Sequence, residues 1–245
     1  GRAKAGDVAG RRHSDGEPFS ESLPSSQEVI SPTECPVCDT KLVVDGAFLR
    51  CTNLDCSARV IRSLIYWCRA LEMDGIGEKL AEQLCDSGLV KTLPDLYRLT
   101  LEDLVGLDRM AEKSAGNVLT QVEANRNLTL GQFLHALGLP GIGPELAHSV
   151  AGRVGTLKAL LALVSAKDEV AGEDEAGKKL KHNPAVGELV AIEGVGATVA
   201  LSLLDGIGLR AEVVSGLNEV LLITEQEAVA DETGPLTGLT FCITG

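Results

Sequence analysis

Aromatic side chains make up only 3% of this 245-residue chain, and it contains no run of 18 uninterrupted apolar residues. The first scarcity, set against 27 glycines and 44% apolar content, argues against a β-sandwich and for helical hairpins built from small residues. The second argues against a membrane span. There is no initiator Met, and no apolar stretch follows Gly1-Arg2-Ala3-Lys4. No signal peptide is therefore expected; the chain reads as an excerpt of something longer, with a cytoplasmic location. Positive charge is also short: 22 Lys and Arg against 35 Asp and Glu leave a formal net charge of −13. That balance opposes broad electrostatic affinity for nucleic acid but leaves local binding through backbone amides open.

Cysteine is present in a pattern. Cys35-Pro36-Val37-Cys38, then Cys51 and Cys56, form Cys-x2-Cys-x12-Cys-x4-Cys. Two short loops can each present a pair of thiolates at this spacing, which suits a tetrahedral Zn2+ site. All four positions are sulfur, leaving none for water, so the zinc is expected to be structural. Disulfides are the competing reading, but they do not persist in a reducing compartment and nothing here signals export. Residues Lys41 to Arg50 read as two short strands around the Asp45-Gly46 turn. Cys68, Cys85 and Cys242 read as small core residues.

A second pattern recurs. Met73-Asp74-Gly75-Ile76-Gly77-Glu78-Lys79-Leu80-Ala81 is repeated as Leu139-Pro140-Gly141-Ile142-Gly143-Pro144-Glu145-Leu146-Ala147. It is repeated again as Ile192-Glu193-Gly194-Val195-Gly196-Ala197-Thr198-Val199-Ala200. Each lies between helical periodicities. The glycines allow the chain to reverse while the central Ile or Val plugs the core. Such helix-hairpin-helix units start a helix at the hairpin, where free N–H groups can hold one phosphate. A poorer copy runs between Leu104 and Leu119, with Ala111 where glycine is expected and with Arg109 and Lys113 nearby. Its phosphate site is left open. Gly206-Ile207-Gly208 fits the short pattern but reads as a helix end.

The fold expected is mainly α: four helix-hairpin-helix units preceded by a small four-cysteine zinc finger. Residues 1–34 read as loose linker and remnant, 35–58 as the finger, 59–215 as the helical domain and 216–235 as an acidic linker. The charge run at 165–185 reads as a solvated insertion without a role. Residues 236–245 are β-rich.

This order resembles the C-terminal portion of bacterial NAD-dependent DNA ligase. Cys35-Pro36-Val37-Cys38 with Cys51-Thr52-Asn53 and Cys56 is similar to the ligase finger. Gly88-Leu89-Val90 with Asp95-Leu96-Tyr97, and Gly106-Leu107-Asp108-Arg109-Met110 with Lys113-Ser114-Ala115, resemble its first two hairpin units. Phe133 to Gly138 resembles the approach to the third. Leu239 to Gly245 is similar to the first strand and loop of a BRCT domain, and Lys4 to Val8 to the end of an oligonucleotide-binding (OB) fold.

The resemblance implies a family that seals nicks in duplex DNA during replication and repair. A lysine is adenylated by NAD+, AMP passes to the 5′ phosphate, and the 3′ hydroxyl attacks with Mg2+. That lysine sits in a Lys-x-Asp-Gly motif of a separate adenylation domain. Here the nearest match is Glu72-Met73-Asp74-Gly75, and a carboxylate cannot form the phosphoramide. No catalytic residue is expected in this chain, which should be inactive alone. NAD+ and Mg2+ belong to the full-length enzyme, and Zn2+ to Cys35, Cys38, Cys51 and Cys56. The implied role is gripping duplex or nicked DNA through Gly75, Gly77, Gly141, Gly143, Gly194 and Gly196, with Lys79, Lys113 and Arg126 adding screened contacts. The enzyme's own adenylation and OB domains are the other implied partners, and no membrane is. The alternative is a free-standing, non-catalytic clamp or scaffold related to the ligase.

Overall fold

The computed structural model describes residues 31–170 and 183–225. The expected OB-fold end, nearly all of the segment before the finger, the middle of the charge run and the BRCT strand lie outside the described residues.

The finger is built on β1 (Leu42–Asp45) and β2 (Phe48–Cys51), paired antiparallel with Leu42 opposite Cys51 and Asp45 opposite Phe48. Gly46 closes the turn at φ 61°, a left-handed conformation that glycine adopts without a steric cost. Cys56 then caps α1 (Ser57–Ala70), which buries Leu64, Trp67 and Cys68 at helical spacing.

Four helical hairpins share one core. α1 packs on α2 (Glu78–Asp86), and the short α3 (Leu101–Val105) on α4 (Glu112–Ala124). α5 (Leu130–Ala136) packs on α6 (Pro144–Val154) and, after α7 (Leu157–Val170), α8 (Pro184–Val190) packs on α9 (Ala197–Gly208). A 3-10 turn at Leu93–Arg98 joins the first two units and supports α10 (Ala211–Val220). Finally β3 (Asn127–Thr129) pairs in parallel with β4 (Leu222–Thr224), tying the middle of the domain to its last segment. Among the described residues no single helix is long and apolar enough to cross a membrane.

The few aromatics are concentrated. Trp67 is fully buried, donates its Nε1–H to Tyr97 Oη at 2.8 Å, and meets the Tyr97 and Phe133 rings edge-on at 6.4 and 6.0 Å. These rings lock the 3-10 turn and α5 against α1, contributing roughly 0.5–1.5 kcal/mol per pair beyond burial. Elsewhere the core is Leu, Val and Ala, as the composition suggests.

Three expectations need correction. Residues 216–224 are not linker: α10 runs to Val220, and Leu222–Thr224 forms a strand. The charge run is not wholly solvated. Lys167 on α7 is buried and paired with Asp205 and Asp168, and Asn183 donates to the Lys167 carbonyl at 3.2 Å. Burial lowers the Lys167 pKa, but the two carboxylates outweigh it and hold the ammonium above its ordinary value. Nor is Arg126 a spare cation for DNA. Its guanidinium donates to the carbonyls of Tyr97 (2.6 Å) and Val220 (3.0 Å), pairs with Glu123, and lies 5.6 Å from the Tyr97 ring centre.

Candidate zinc centre and nucleic-acid interface

The four Sγ atoms of Cys35, Cys38, Cys51 and Cys56 lie within 4.8 Å of one another, with Cys35 to Cys56 at 3.9 Å and Cys38 to Cys51 at 3.5 Å. A tetrahedron with Zn–S bonds of about 2.3 Å has edges of roughly 3.8 Å, so the donor set fits the ion. None of the four is in a disulfide, whose sulfurs would stand about 2 Å apart. The ligands are held from several sides. Cys35 N–H donates to the Thr40 carbonyl and Asp39 N–H to the Cys35 carbonyl, both at 2.9 Å. Arg59 Nη1 donates to the Cys51 carbonyl at 2.9 Å, anchoring the second loop on α1.

The protons on these thiols are unevenly held. Hydrogen bonding to the Thr40 side chain and backbone brings Cys38 down to about 6, while burial pushes Cys51 up to about 12 and raises Cys56. Zinc binds thiolates, so all four cysteines must give up their protons to the ion and its affinity depends on pH. The four-cysteine zinc site is structural, because no coordination position remains for water.

The hairpins share one geometry. Gly75, Gly141 and Gly194 stand at φ 88°, 79° and 80°, a region L side chains rarely adopt. Two residues on, Gly77, Gly143 and Gly196 are extended helix N-caps, with φ of −91°, −83° and −79°. Between them Ile76, Ile142 and Val195 are buried as plugs, while the flanking glycines are exposed. The fourth residue of each following helix is Ala81, Ala147 or Ala200, fully buried where the helices touch. No side chain caps α2, α6 or α9 among the described residues, so their free first-turn amides lack a side-chain acceptor; α6 has one fewer, because its first residue, Pro144, has no N–H.

The second unit keeps this backbone with different residues. Arg109 takes the left-handed position at φ 59°, Met110 is the plug, and Ala115 is the buried small residue. Ala111 falls at the N-cap, φ −90° and ψ 159°, where any residue is at ease. The departure at Ala111 therefore leaves the turn intact. What differs is Ser114, whose Oγ accepts the Ala111 N–H at 3.0 Å and donates to the Ala111 carbonyl at 2.8 Å. One outward amide is thus already occupied. The repeat at residues 107–115 could have shown this in the sequence, had Ser114 been read as a capping residue.

Lys79 and Lys113 are exposed at matching positions on α2 and α4, one residue past each helix start. Glu145 and Thr198 hold that position on α6 and α9, so the added positive charge is confined to the first two hairpins. The hairpins also pack in pairs. A Cβ on Gly75 would meet Val118 of the second unit at 3.5 Å. One on Gly141 would meet Val199 of the fourth at 3.9 Å, and one on Gly194 would meet Leu146 of the third at 3.3 Å.

Comparison with known proteins agrees with this anatomy. Residues 34–58 match the NAD-dependent DNA ligase C4 zinc finger domain, and residues 69–123 the SAM-like helix-hairpin-helix tandem. The chain is 33% identical over 223 residues to a DNA ligase of Coprothermobacter proteolyticus, covering 89% of this chain and 30% of that protein. It is 35% identical over 238 residues to a DNA ligase of Sorangium cellulosum, covering 96% and 32%. With a DNA ligase of Sulfurimonas denitrificans the identity is 35% over 225 residues, covering 90% and 31%. The chain thus spans about a third of the length of the curated relatives it matches. It carries the C4 zinc finger of NAD-dependent DNA ligases and a helix-hairpin-helix tandem, and is similar to DNA ligases over about 90% of its own length.

Proposed function

We propose that this chain is the DNA-gripping part of an NAD-dependent ligase that seals nicks in duplex DNA, and that it holds backbone phosphates on the exposed hairpin amides at Gly75/Gly77, Gly141/Gly143 and Gly194/Gly196. The observation that carries this reading is the threefold exposed, uncapped Gly-apolar-Gly turn. Each offers backbone N–H groups at a helix start, a ready anion site that carries no base-reading information. Amide donors also explain how a protein of net charge −13 can hold a polyanion. Lys79 and Lys113 add exposed charge, whereas Arg126 adds none. The zinc finger at 35–58 sets the position of the helical body that follows it relative to the catalytic part, where NAD+, Mg2+ and the nucleophilic lysine would act. The chain by itself has no adenylation chemistry. The setting is cytoplasmic and membrane-free.

The test uses Gly143→Asp and Gly196→Asp in the zinc-loaded chain, with binding to a nicked duplex followed by fluorescence anisotropy. No heavy atom lies within 4 Å of a Cβ at either position, and aspartate is a favoured N-cap, so folding should be unharmed. A carboxylate facing a phosphate should weaken binding by roughly tenfold or more. For the parent chain, log affinity should fall with log salt at about −0.9 per phosphate neutralised. Folded variants that bind as tightly as the parent would refute the amide grip.

A further inference from the structure

Between the finger and the helical body lies a cavity of about 70 Å³ whose cationic lining is Arg59, Lys91 and Arg210. Ser63 and Thr92 add hydroxyls, and Asp55 is the one acidic residue in the lining. The cavity adjoins a wider groove of about 530 Å³, which shares Leu54, Asp55, Thr92, Arg210 and Val213 with it. Three cations in one small space would ordinarily be matched by carboxylates. Among the described residues none of the three stands within ion-pair distance of one, Asp55 included.

The two arginines are fixed in place. Arg59 Nη1 is committed to the Cys51 carbonyl and Arg210 Nη1 to the Gly206 carbonyl at 3.0 Å. Their remaining N–H groups meet no acceptor among the described residues. Arg210 is more than half buried; burial, and then repulsion from Arg59, lowers its pKa below the ordinary arginine value. A helix start points to the same place. Arg210 is the N-cap of the ten-residue α10, and Ala211, Glu212 and Val213 line the adjoining groove. The first bond inside that helix is from Val214 N–H to the Arg210 carbonyl at 2.8 Å, so the three amides before it have no intrahelical acceptor. A net-acidic chain has thus gathered guanidinium groups, an ammonium and a helix start around one partly open cavity, with no carboxylate paired to them among the described residues. An anion would offset the desolvation and the mutual repulsion that these groups bear.

We propose that this junction is a second anion site, distinct from the hairpins, which binds a single tetrahedral oxyanion of the phosphate class between Arg59, Lys91 and Arg210. The three cations converge on a space that admits one such group. Its source is either free inorganic phosphate or one phosphate of a DNA backbone laid along the wider groove.

The experiment is calorimetric titration of the zinc-loaded chain with inorganic phosphate at constant ionic strength, using Lys91→Gln and Arg210→Gln as variants. Lys91 is exposed, so its replacement leaves the fold unchanged, whereas Arg210→Gln also removes the bond to Gly206. We expect saturable one-to-one binding, weakened several-fold in Lys91→Gln and abolished in Arg210→Gln. Adding a short duplex then separates the sources: displacement of phosphate identifies the DNA backbone, and simultaneous binding identifies free phosphate. Absence of saturable phosphate binding, or equal binding by the parent and Lys91→Gln, overturns the site. The hairpin variants Gly143→Asp and Gly196→Asp should bind phosphate here as the parent does, so this site and the amide grip can fail separately.

Discussion

Leu146 Cδ2 lies 3.3 Å from the point where a side chain on Gly194 would begin. The third hairpin thus uses the missing Cβ of the fourth as a seat, while Val199 of the fourth stands 3.9 Å from the corresponding point on Gly141 of the third. The two glycines serve the turn and the pairing together.

Gly194→Ala should therefore be more damaging than Gly141→Ala. Both force an alanine to φ near 80°, costing about 1–2 kcal/mol, and only the first also presses on Leu146. Gly143→Ala, extended and open, should stay within about 0.5 kcal/mol of the parent. Urea denaturation of the three variants checks this order. Equal losses at all three would mean that the turn geometry is not what the first glycine supplies.

The second hairpin predicts the opposite pattern. Ser114→Ala removes the cap on Ala111 and should cost about 0.5–1 kcal/mol while freeing an amide. Its thermal stability should fall as its affinity for nicked duplex rises. If affinity falls along with stability, Ser114 contributes to the interface rather than masking it.

Removing the metal should disturb the finger more than the body. Structural zinc in such modules contributes ~10–16 kcal/mol, and Cys56 is also the residue from which α1 starts. After chelation, or in Cys56→Ser, amides of residues 35–60 should exchange with deuterium rapidly while those of α5 and α6 stay protected. Uniform protection across the chain would show that the finger folds without its ion.

An acid limb of stability is expected at Asp95. Burial pushes its carboxyl up, but the Thr92 N–H (2.8 Å), the Thr92 hydroxyl (3.0 Å), the Lys91 N–H (3.1 Å) and Arg98 outweigh it, so the folded value lies below the ordinary one. A depressed carboxylate stabilises above its unfolded pKa of about 3.9 and loses that contribution as pH falls through the folded value. The melting-temperature gap between the parent and Asp95→Asn should be constant from pH 7 to 5 and close below about pH 4. Zinc loss in acid affects both proteins, so the gap is the informative quantity. A gap that persists unchanged to pH 3 would rule the carboxylate out.

What could be read in the residues followed from how local the cause was. The zinc site and three hairpins were legible because a thiolate spacing and a Gly-apolar-Gly turn carry their geometry within a few positions. The second hairpin was half legible: Ala111 breaks the glycine pattern at a position indifferent to a Cβ, while the left-handed residue is Arg109 and the occupied amide is explained by Ser114. Arg126 reads in the sequence as a cation free for screened DNA contacts, and Lys167 lies in a run that reads as solvated. Beyond the nearby Glu123 and Asp168, their acceptors lie 29 and 94 residues away for Arg126, both carbonyls, which every residue has, and 38 away for Lys167. Sequence carries no mark of such a partner. The second half of the last helix and the strand after it read as linker because the acidic character that follows Val220 blurs the end of the periodicity.

The parallel pairing of Asn127–Thr129 with Leu222–Thr224, reinforced by Arg126 across to Val220, closes residues 130–221 into a loop. Tension applied along the chain from the finger to Thr224 runs through the first two hairpins and that pair, and meets the pair in shear, since parallel strands drawn by opposite ends slide past each other. The third and fourth hairpins lie inside the loop and off the line of force. Optical-trap stretching of the chain between residues 34 and 225 should show the two hairpins unfolding only after an early, higher-force rupture that Arg126→Ala lowers. The fold thus has a mechanical fuse, and load reaches one half of the proposed DNA grip only after that fuse has given way.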